Sequence, residues 1–165
     1  MPRVAVGALV RDGRVLLCHR VPGKAHSPDR WDFPGGHVEE GESFGEALAR
    51  ELEEEVGVVV EPPTRSCDFE VRRGAGDAAG LVLRGWILTD WTGTPRLVDG
   101  EEHDDLAWCA AADLPGLALS HAEYVPMLRR VLAPDAHHRR PVTGHAGSAD
   151  PAFGSHSGDA SRVHR

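Results

Sequence analysis

Apolar residues arrive early and in short runs: Val4, Ala5, Val6, Ala8, Leu9 and Val10, then Val15, Leu16, Leu17 and Cys18. Arg11-Asp12-Gly13-Arg14 separates them. Two strand-length runs joined by Asp-Gly predict a β-hairpin. Residues 21–30, rich in Pro, Gly, Lys and His, read as a loop, and Pro34-Gly35-Gly36 reads as a bend. From Ser43 the pattern changes. Phe44, Leu48, Leu52 and Val56 repeat every four residues, which gives one apolar stripe on a helix. Ser43 with Glu46 three positions on forms a capping box at its start, and Gly57 supplies its end.

Beyond the helix, residues 67–72 and 81–88 read as strands joined by a turn over 73–77, and residues 106–109 read as another strand. Residues 120–132 have a helical pattern with a second Ser-to-Glu capping box, Ser120 to Glu123. Pro126 conflicts with a full helix there, so the helix either kinks or starts near Pro126. Hairpins, strands and two helices together predict an α/β sandwich with a mixed sheet. After residue 133 the composition turns to Gly, Ser, His, Asp, Arg and Ala. The expectation is one domain over residues 1–133 and a disordered or loosely attached tail over 134–165, with His137-His138 solvated.

Composition narrows the picture. The 165 residues are enough for one core, and 41% hydrophobic with 27% charged is ordinary for a globular chain. No apolar run is long enough to span a membrane, and no signal-peptide stretch opens the chain, so a cytoplasmic protein is expected. Cys18, Cys67 and Cys109 lie far apart, which argues for buried thiols over disulfides or a zinc site. A net charge of −8 argues against a nucleic-acid polymer as partner. It does not exclude a small polyphosphate if a metal ion supplies positive charge.

The chemistry concentrates on the first helix. At about 100° per residue, Glu51, Glu54 and Glu55 fall within an arc of roughly 100° beside the apolar stripe. Ala47 lies on that arc one turn earlier and leaves space, whereas Glu46 and Glu53 point away. Carboxylates held this close repel one another, and a bound divalent cation relieves the repulsion. Oxygen ligands favour Mg²⁺ or Mn²⁺ over zinc. Arg50, spaced four from both Glu46 and Glu54, is placed to bridge part of the group. An acidic run alone is most often a solvated helix face; the spacing of its neighbours argues otherwise.

Gly36, Glu42, Arg50-Glu51-Leu52, Glu54-Glu55 and Gly57-Val58 match every specified position of G-x5-E-x7-R-E-U-x-E-E-x-G-U, where U is apolar. The segment resembles the Nudix box. The flanking strands, and Trp108 followed by Asp113-Leu114-Pro115, extend the resemblance over roughly residues 3 to 132. It implies a Nudix-type α/β/α sandwich and hydrolysis of a pyrophosphate bond in a nucleoside-diphosphate-linked substrate. It implies metal ligation by Glu51, Glu54, Glu55 and the Gly35 carbonyl, with Mg²⁺ as the ion and Mn²⁺ as a substitute. Glu51 becomes the leading candidate for the water-activating base, and Glu102, or its neighbour Glu101, the candidate from a later loop. The acidic stretch 99–105 reads equally well as solvated loop. Gly36, Glu42, Arg50 and Gly57 take structural roles, Gly36 by permitting a tight loop. Arg20, His26 and His37 are candidate phosphate contacts, although each fits an ordinary surface position as well.

Substrate marks of two branches are missing. No Pro lies near residues 72–74, where ADP-ribose hydrolases often carry one, and the single tyrosine, Tyr124, comes too late for a dinucleoside polyphosphate hydrolase. Elimination leaves MutT-like enzymes that cut nucleoside triphosphates to monophosphate and pyrophosphate. The alternatives are another diphosphate (a nucleotide sugar, ADP-ribose, a prenyl diphosphate or a biosynthetic intermediate) or a Nudix-like binding module without activity. The resemblance also admits a homodimer. Trp86, Trp91 and Trp108 are expected in the core.

Overall fold

The computed structural model describes residues 1–74, 80–98 and 100–133. The expected tail, the turn residues 75–77 and Asp99 lie outside the described residues. Strands β1 (Arg3–Arg11) and β2 (Arg14–Arg20) form the predicted hairpin, with Asp12 and Gly13 both at positive φ. That conformation suits Asp-Gly, because it matches the twist of the flanking strands. Then follow β3 (Trp31–Asp32), β4 (Gly35–His37), helix α1 (Phe44–Val56), β5 (Phe69–Arg73), β6 (Leu81–Leu88), β7 (His103–Ala110) and helix α2 (Tyr124–Val131).

The sheet is mixed. Its path runs β3-β2-β1-β6-β5, with β4 also paired to β1 and β7 to β2. β1 and β6 are parallel, and the other strand pairs are antiparallel. Alternation along the strands serves two cores. Ala5, Leu9, Leu16 and Cys18 pack with Leu48, Leu52 and Val56 of α1. Val6, Ala8, Val15 and Leu17 pack with Tyr124, Met127 and Leu128 of α2. The result is an α/β/α arrangement with one helix layer per face.

Helix α1 forms where the pattern places it. Ser43 Oγ accepts from the Glu46 amide, the Glu46 carboxylate accepts from the Ser43 amide, and Gly57 closes the helix at φ 68°. Ser43→Ala removes one half of this reciprocal cap. The expected cost is about 1 kcal/mol of stability, read as a lower urea midpoint with an unchanged slope.

Several expectations need correction. The second capping box does not form. Helix α2 begins after Glu123, which makes no side-chain cap, while the Ser120 amide bonds to the Trp31 carbonyl. Pro126 therefore sits in the first turn, where a missing N–H costs nothing. Pro34-Gly35-Gly36 is not a simple bend, because Gly35–His37 pairs with Val4–Val6 of β1. The strand expected over 67–72 is shorter at its start, Phe69–Arg73. The one expected over 106–109 is longer, and takes in His103, Asp104 and Asp105 of the acidic stretch. Cys67 is half-buried, while Cys18 and Cys109 are buried. Trp86 is core, but Trp91 and Trp108 are half-buried and stack on each other at 6.1 Å. No helix among the described residues is long and apolar enough to cross a membrane.

Candidate active site

The acidic edge of α1 faces the junction of β4 and the start of β7. A cleft of about 230 Å³ there is lined by Gly36, His37, Glu39, Glu51, Glu54, Glu55 and Glu102. A larger hollow of about 730 Å³ lies at the other end of α1, between Arg3, Phe44, Pro63 and Arg84; its one acid, Glu46, is committed to the helix cap.

Glu55 is the buried member of the group, 5% exposed. Its Oε2 accepts from the Gly35 amide at 2.8 Å, and its Oε1 lies 3.8 Å from Nδ1 of the buried His103. Burial, with Glu51 and Glu102 adding repulsion, pushes the Glu55 carboxyl up to about 8. Glu51 is also raised, chiefly by burial, with Arg50 pulling the other way. Glu54 is largely exposed.

Arg50 organises the acids, and of the two i±4 pairings expected only the one with Glu54 forms. Its Nε and Nη2 hold both Glu42 oxygens at 2.9 and 3.0 Å, and its Nη1 reaches Glu51 at 2.7 Å and Glu54 at 3.4 Å. Nη2 also donates to the His37 carbonyl. Glu46, the other expected partner, bonds to Ser43 instead. This two-pronged grip lowers the Glu42 carboxyl and ties the 37–42 segment to the helix. Glu42 also accepts from the Glu39 amide.

The two glycines do different work. Gly35 sits at φ 145°, and a Cβ there would meet the Ala5 carbonyl oxygen at 2.1 Å. Gly36 is in strand, so it does not act by permitting a tight loop; a Cβ there would meet the Glu51 carboxylate at 2.5 Å. The bare Gly36 face is the seat of that carboxylate. Gly36→Ala is expected to leave the fold intact, since only the end of a flexible side chain must yield. It should lower turnover by roughly 10- to 100-fold by moving the carboxylate about 1 Å. The check is kcat beside the thermal midpoint of the same protein.

Glu102 joins the site, and its carboxylate takes Lys24 Nζ at 3.3 Å. His37 lines the cleft, whereas His26 is exposed and enters through its carbonyl, which accepts from Arg20 Nε at 3.2 Å. Arg20 lies near enough to Glu55 to oppose its upward shift. Residue-level reading missed Glu39, His103 and Lys24. His103 had a sequence signal, since it follows an acid directly before a strand-like run.

As they stand, no three His, Cys, Asp or Glu side chains among the described residues are gathered closely enough to hold an ion. The contacts explain why: Glu51 is turned to Arg50, Glu55 to Gly35 and Glu102 to Lys24. The donor set is nevertheless all oxygen, densely anionic and partly desolvated, which fits a hard divalent cation after side-chain rotation.

A model of the NUDIX domain family matches residues 1–131. The chain belongs to the NUDIX family. It is 31% identical over 135 residues to the CTP pyrophosphohydrolase of Escherichia coli K12, covering 81% of this chain and 93% of that one. It is 36% identical over 145 residues to the putative 8-oxo-dGTP diphosphatase 2 of Mycobacterium tuberculosis H37Rv, covering 82% and 96%. The crystal structure of a MutT NUDIX hydrolase from Burkholderia pseudomallei superposes with a TM-score of 0.67 at 33% identity, covering 79% and 97%. The Nudix box of Gly36 to Val58 thus lies in a MutT-like Nudix hydrolase, an enzyme acting on phosphoric anhydrides. Enzymes of this family use divalent metal ions.

Proposed function

We propose that this Nudix hydrolase cuts a nucleoside triphosphate, or a modified one, to the monophosphate and pyrophosphate with Mg²⁺, which Mn²⁺ can replace. The carrying observation is the single cleft lined by Glu51, Glu54, Glu55, Glu102 and Gly36. Two relatives named for CTP and 8-oxo-dGTP support the substrate class. The acidic net charge favours a small nucleotide over a nucleic-acid polymer.

Glu51, Glu54, Glu55 and the Gly35 carbonyl would hold the ion. When bound, it would neutralise phosphate charge and make water a better nucleophile at neutral pH. Glu51 takes the proton from the attacking water, and the bare Gly36 face leaves room for its carboxylate. Water adds to phosphorus, the P–O bond to pyrophosphate breaks, and the pyrophosphate leaves with its charge met by Arg20 and His37. Glu102, reached by Lys24, is the second carboxylate able to orient the water. Glu42 and Arg50 keep the cleft wall in register, and Gly57 ends the helix just after Glu55.

A substrate panel tests this reading. Common and oxidised nucleoside triphosphates, ADP-ribose, nucleotide sugars and prenyl diphosphates are each incubated with enzyme and Mg²⁺. Monophosphate and pyrophosphate from a triphosphate are expected. Turnover confined to another diphosphate would overturn the substrate class and keep the bond class.

A further inference from the structure

The 21–30 loop carries Lys24 and His26 and starts beside Arg20, so its position decides which cations reach the cleft. It doubles back on β2: the Arg20 amide bonds to the Arg30 carbonyl, and the Asp29 amide to the Arg20 carbonyl. Ser27 and Asp29 both hold positive φ, 46° and 55°. Non-glycine residues adopt that region at a cost that surrounding contacts must offset.

The contact at its base is His19. Its Nδ1 lies 2.6 Å from Asp104 Oδ1, and its Nε2 lies 3.1 Å from Asp29 Oδ1. A neutral imidazole carries one N–H and can donate to only one of these carboxylates; with Asp104 hydrogen-bonded at Nδ1 and Asp29 at ion-pair distance from Nε2, the doubly protonated ring is the form both carboxylates favour. Asp104 reaches His19 through an irregularity in the sheet. His19 pairs with Asp105 and Arg20 with His103, so Asp104 is the extra residue of a bulge, and a bulge re-aims a side chain. The other groups facing the ring are Trp31, 5.1 Å away between centroids, and Asp105, whose Oδ1 is engaged by the Leu106 amide. Among the described residues, the charged groups paired with the ring are the acids Asp29 and Asp104.

We propose that His19 is a positioning residue: its imidazolium, clamped between Asp104 of β7 and Asp29 of the loop, fixes the loop that presents Lys24 to the carboxylate cleft and holds Arg20, at the end of β2, through the His26 carbonyl. The clamp joins β7, which brings Glu102 to the cleft, to the loop, which brings Lys24 to Glu102. The role in binding phosphate rests on the function proposed above; the clamp itself does not.

The hydrogen bond to Asp104 leads the causes that raise the His19 imidazole above its ordinary value, with Asp29 adding to it. The sign follows. The clamp is complete below the raised value and opens as pH rises through it. Because Asp29 is 73% exposed, solvent screening keeps its share modest.

The test uses the full chain labelled with ¹⁵N-histidine. Ring nitrogen shifts of His19, assigned by their loss in His19→Gln, are followed against pH. Amide exchange of residues 21–30 is measured in wild type, His19→Gln and Asp29→Asn, without substrate or metal. His19 should titrate above the ordinary imidazole range and return toward it in Asp29→Asn and Asp104→Asn. Exchange in the loop should quicken roughly 3- to 5-fold in His19→Gln and Asp29→Asn, with no further gain in the double variant. KM for the substrate found in the panel should rise by a similar factor, with kcat within about 2-fold, and the wild-type KM should climb toward the variant value as His19 deprotonates. An ordinary His19 titration untouched by Asp29→Asn, loop exchange indifferent to His19→Gln, or an unmoved KM would each overturn the proposal. Asp29→Asn changes an exposed loop residue, so a folding failure of His19→Gln would not rescue the idea. The exchange measurement needs no turnover, so a failed panel and a failed clamp are separate results.

Discussion

Glu51→Gln and Glu55→Gln should each lower turnover by roughly a thousandfold or more while the protein still folds. The two losses have different physical origins. Gln at 51 cannot take a proton from water, yet it keeps the shape that fits the bare Gly36 face. Its effect should appear in kcat. Gln at 55 retains an oxygen for the Gly35 amide, now 2.8 Å from the carboxylate, but carries no charge for a cation. Its effect should appear first as a weaker response to Mg²⁺. Stability should not suffer, because Gln at 55 matches the neutral carboxyl in shape and still accepts from the Gly35 amide, while Gln at 51 leaves Arg50 its Glu42 and Glu54 partners. Glu53→Gln, one residue from Glu54 but on the exposed side, is the control and should stay near wild type. Near-normal kcat in both Glu51→Gln and Glu55→Gln would sink the site assignment.

Chelation should abolish activity and Mg²⁺ should restore it, and the metal-free protein should reveal Glu55 through its pH response. With its carboxyl pushed up to about 8, Glu55 keeps its proton in the folded chain over a range where the unfolded chain has lost it. The folded state then binds the extra proton between about pH 4.5 and 8. Stability from this group is therefore full below the unfolded value and is lost as pH rises through the folded one. The thermal midpoint of chelated enzyme should fall between pH 5.5 and 8, on the order of 5 °C. Saturating Mg²⁺ should remove most of that fall, since a cation offsets the desolvated charge and must displace a proton to bind. Calorimetry in two buffers of different ionisation heat would count the released proton. A chelated enzyme that remains active would contradict the metal mechanism. A thermal midpoint flat over that window would contradict the state assigned to Glu55.

How much of this was legible in the sequence depends on the range of the interactions involved. Helix α1 was readable because every determinant is local: the stripe at spacing four, Ser43 with Glu46, and Gly57. The arc of Glu51, Glu54 and Glu55 followed from the same periodicity. Ser120 and Glu123 show the limit of local reasoning. Their spacing satisfies the capping pattern, but the Ser120 amide is taken by Trp31, a residue 89 positions earlier by subtraction of their numbers. Tertiary pairing overrode a local propensity. Gly35-Gly36 failed in the opposite sense, since a turn-like sequence became strand because β1 supplies a partner. His103 and Lys24 enter the site through the β2–β7 pairing and the folded-back loop, and Glu39 through the β1–β4 pairing that places the segment after His37, none of which a local period encodes. Glu102 was legible only through the box resemblance, which implies a carboxylate from a later acidic loop.

Manganese binding followed by electron paramagnetic resonance, with Mg²⁺ as competitor, tests most directly whether these carboxylates form a metal centre. Wild-type protein at pH 8 should bind Mn²⁺ that Mg²⁺ displaces, and Glu51→Gln and Glu55→Gln should weaken that binding at least about 10-fold while Glu53→Gln leaves it unchanged. Equal Mn²⁺ binding by all four proteins would contradict a metal centre at Glu51, Glu54 and Glu55.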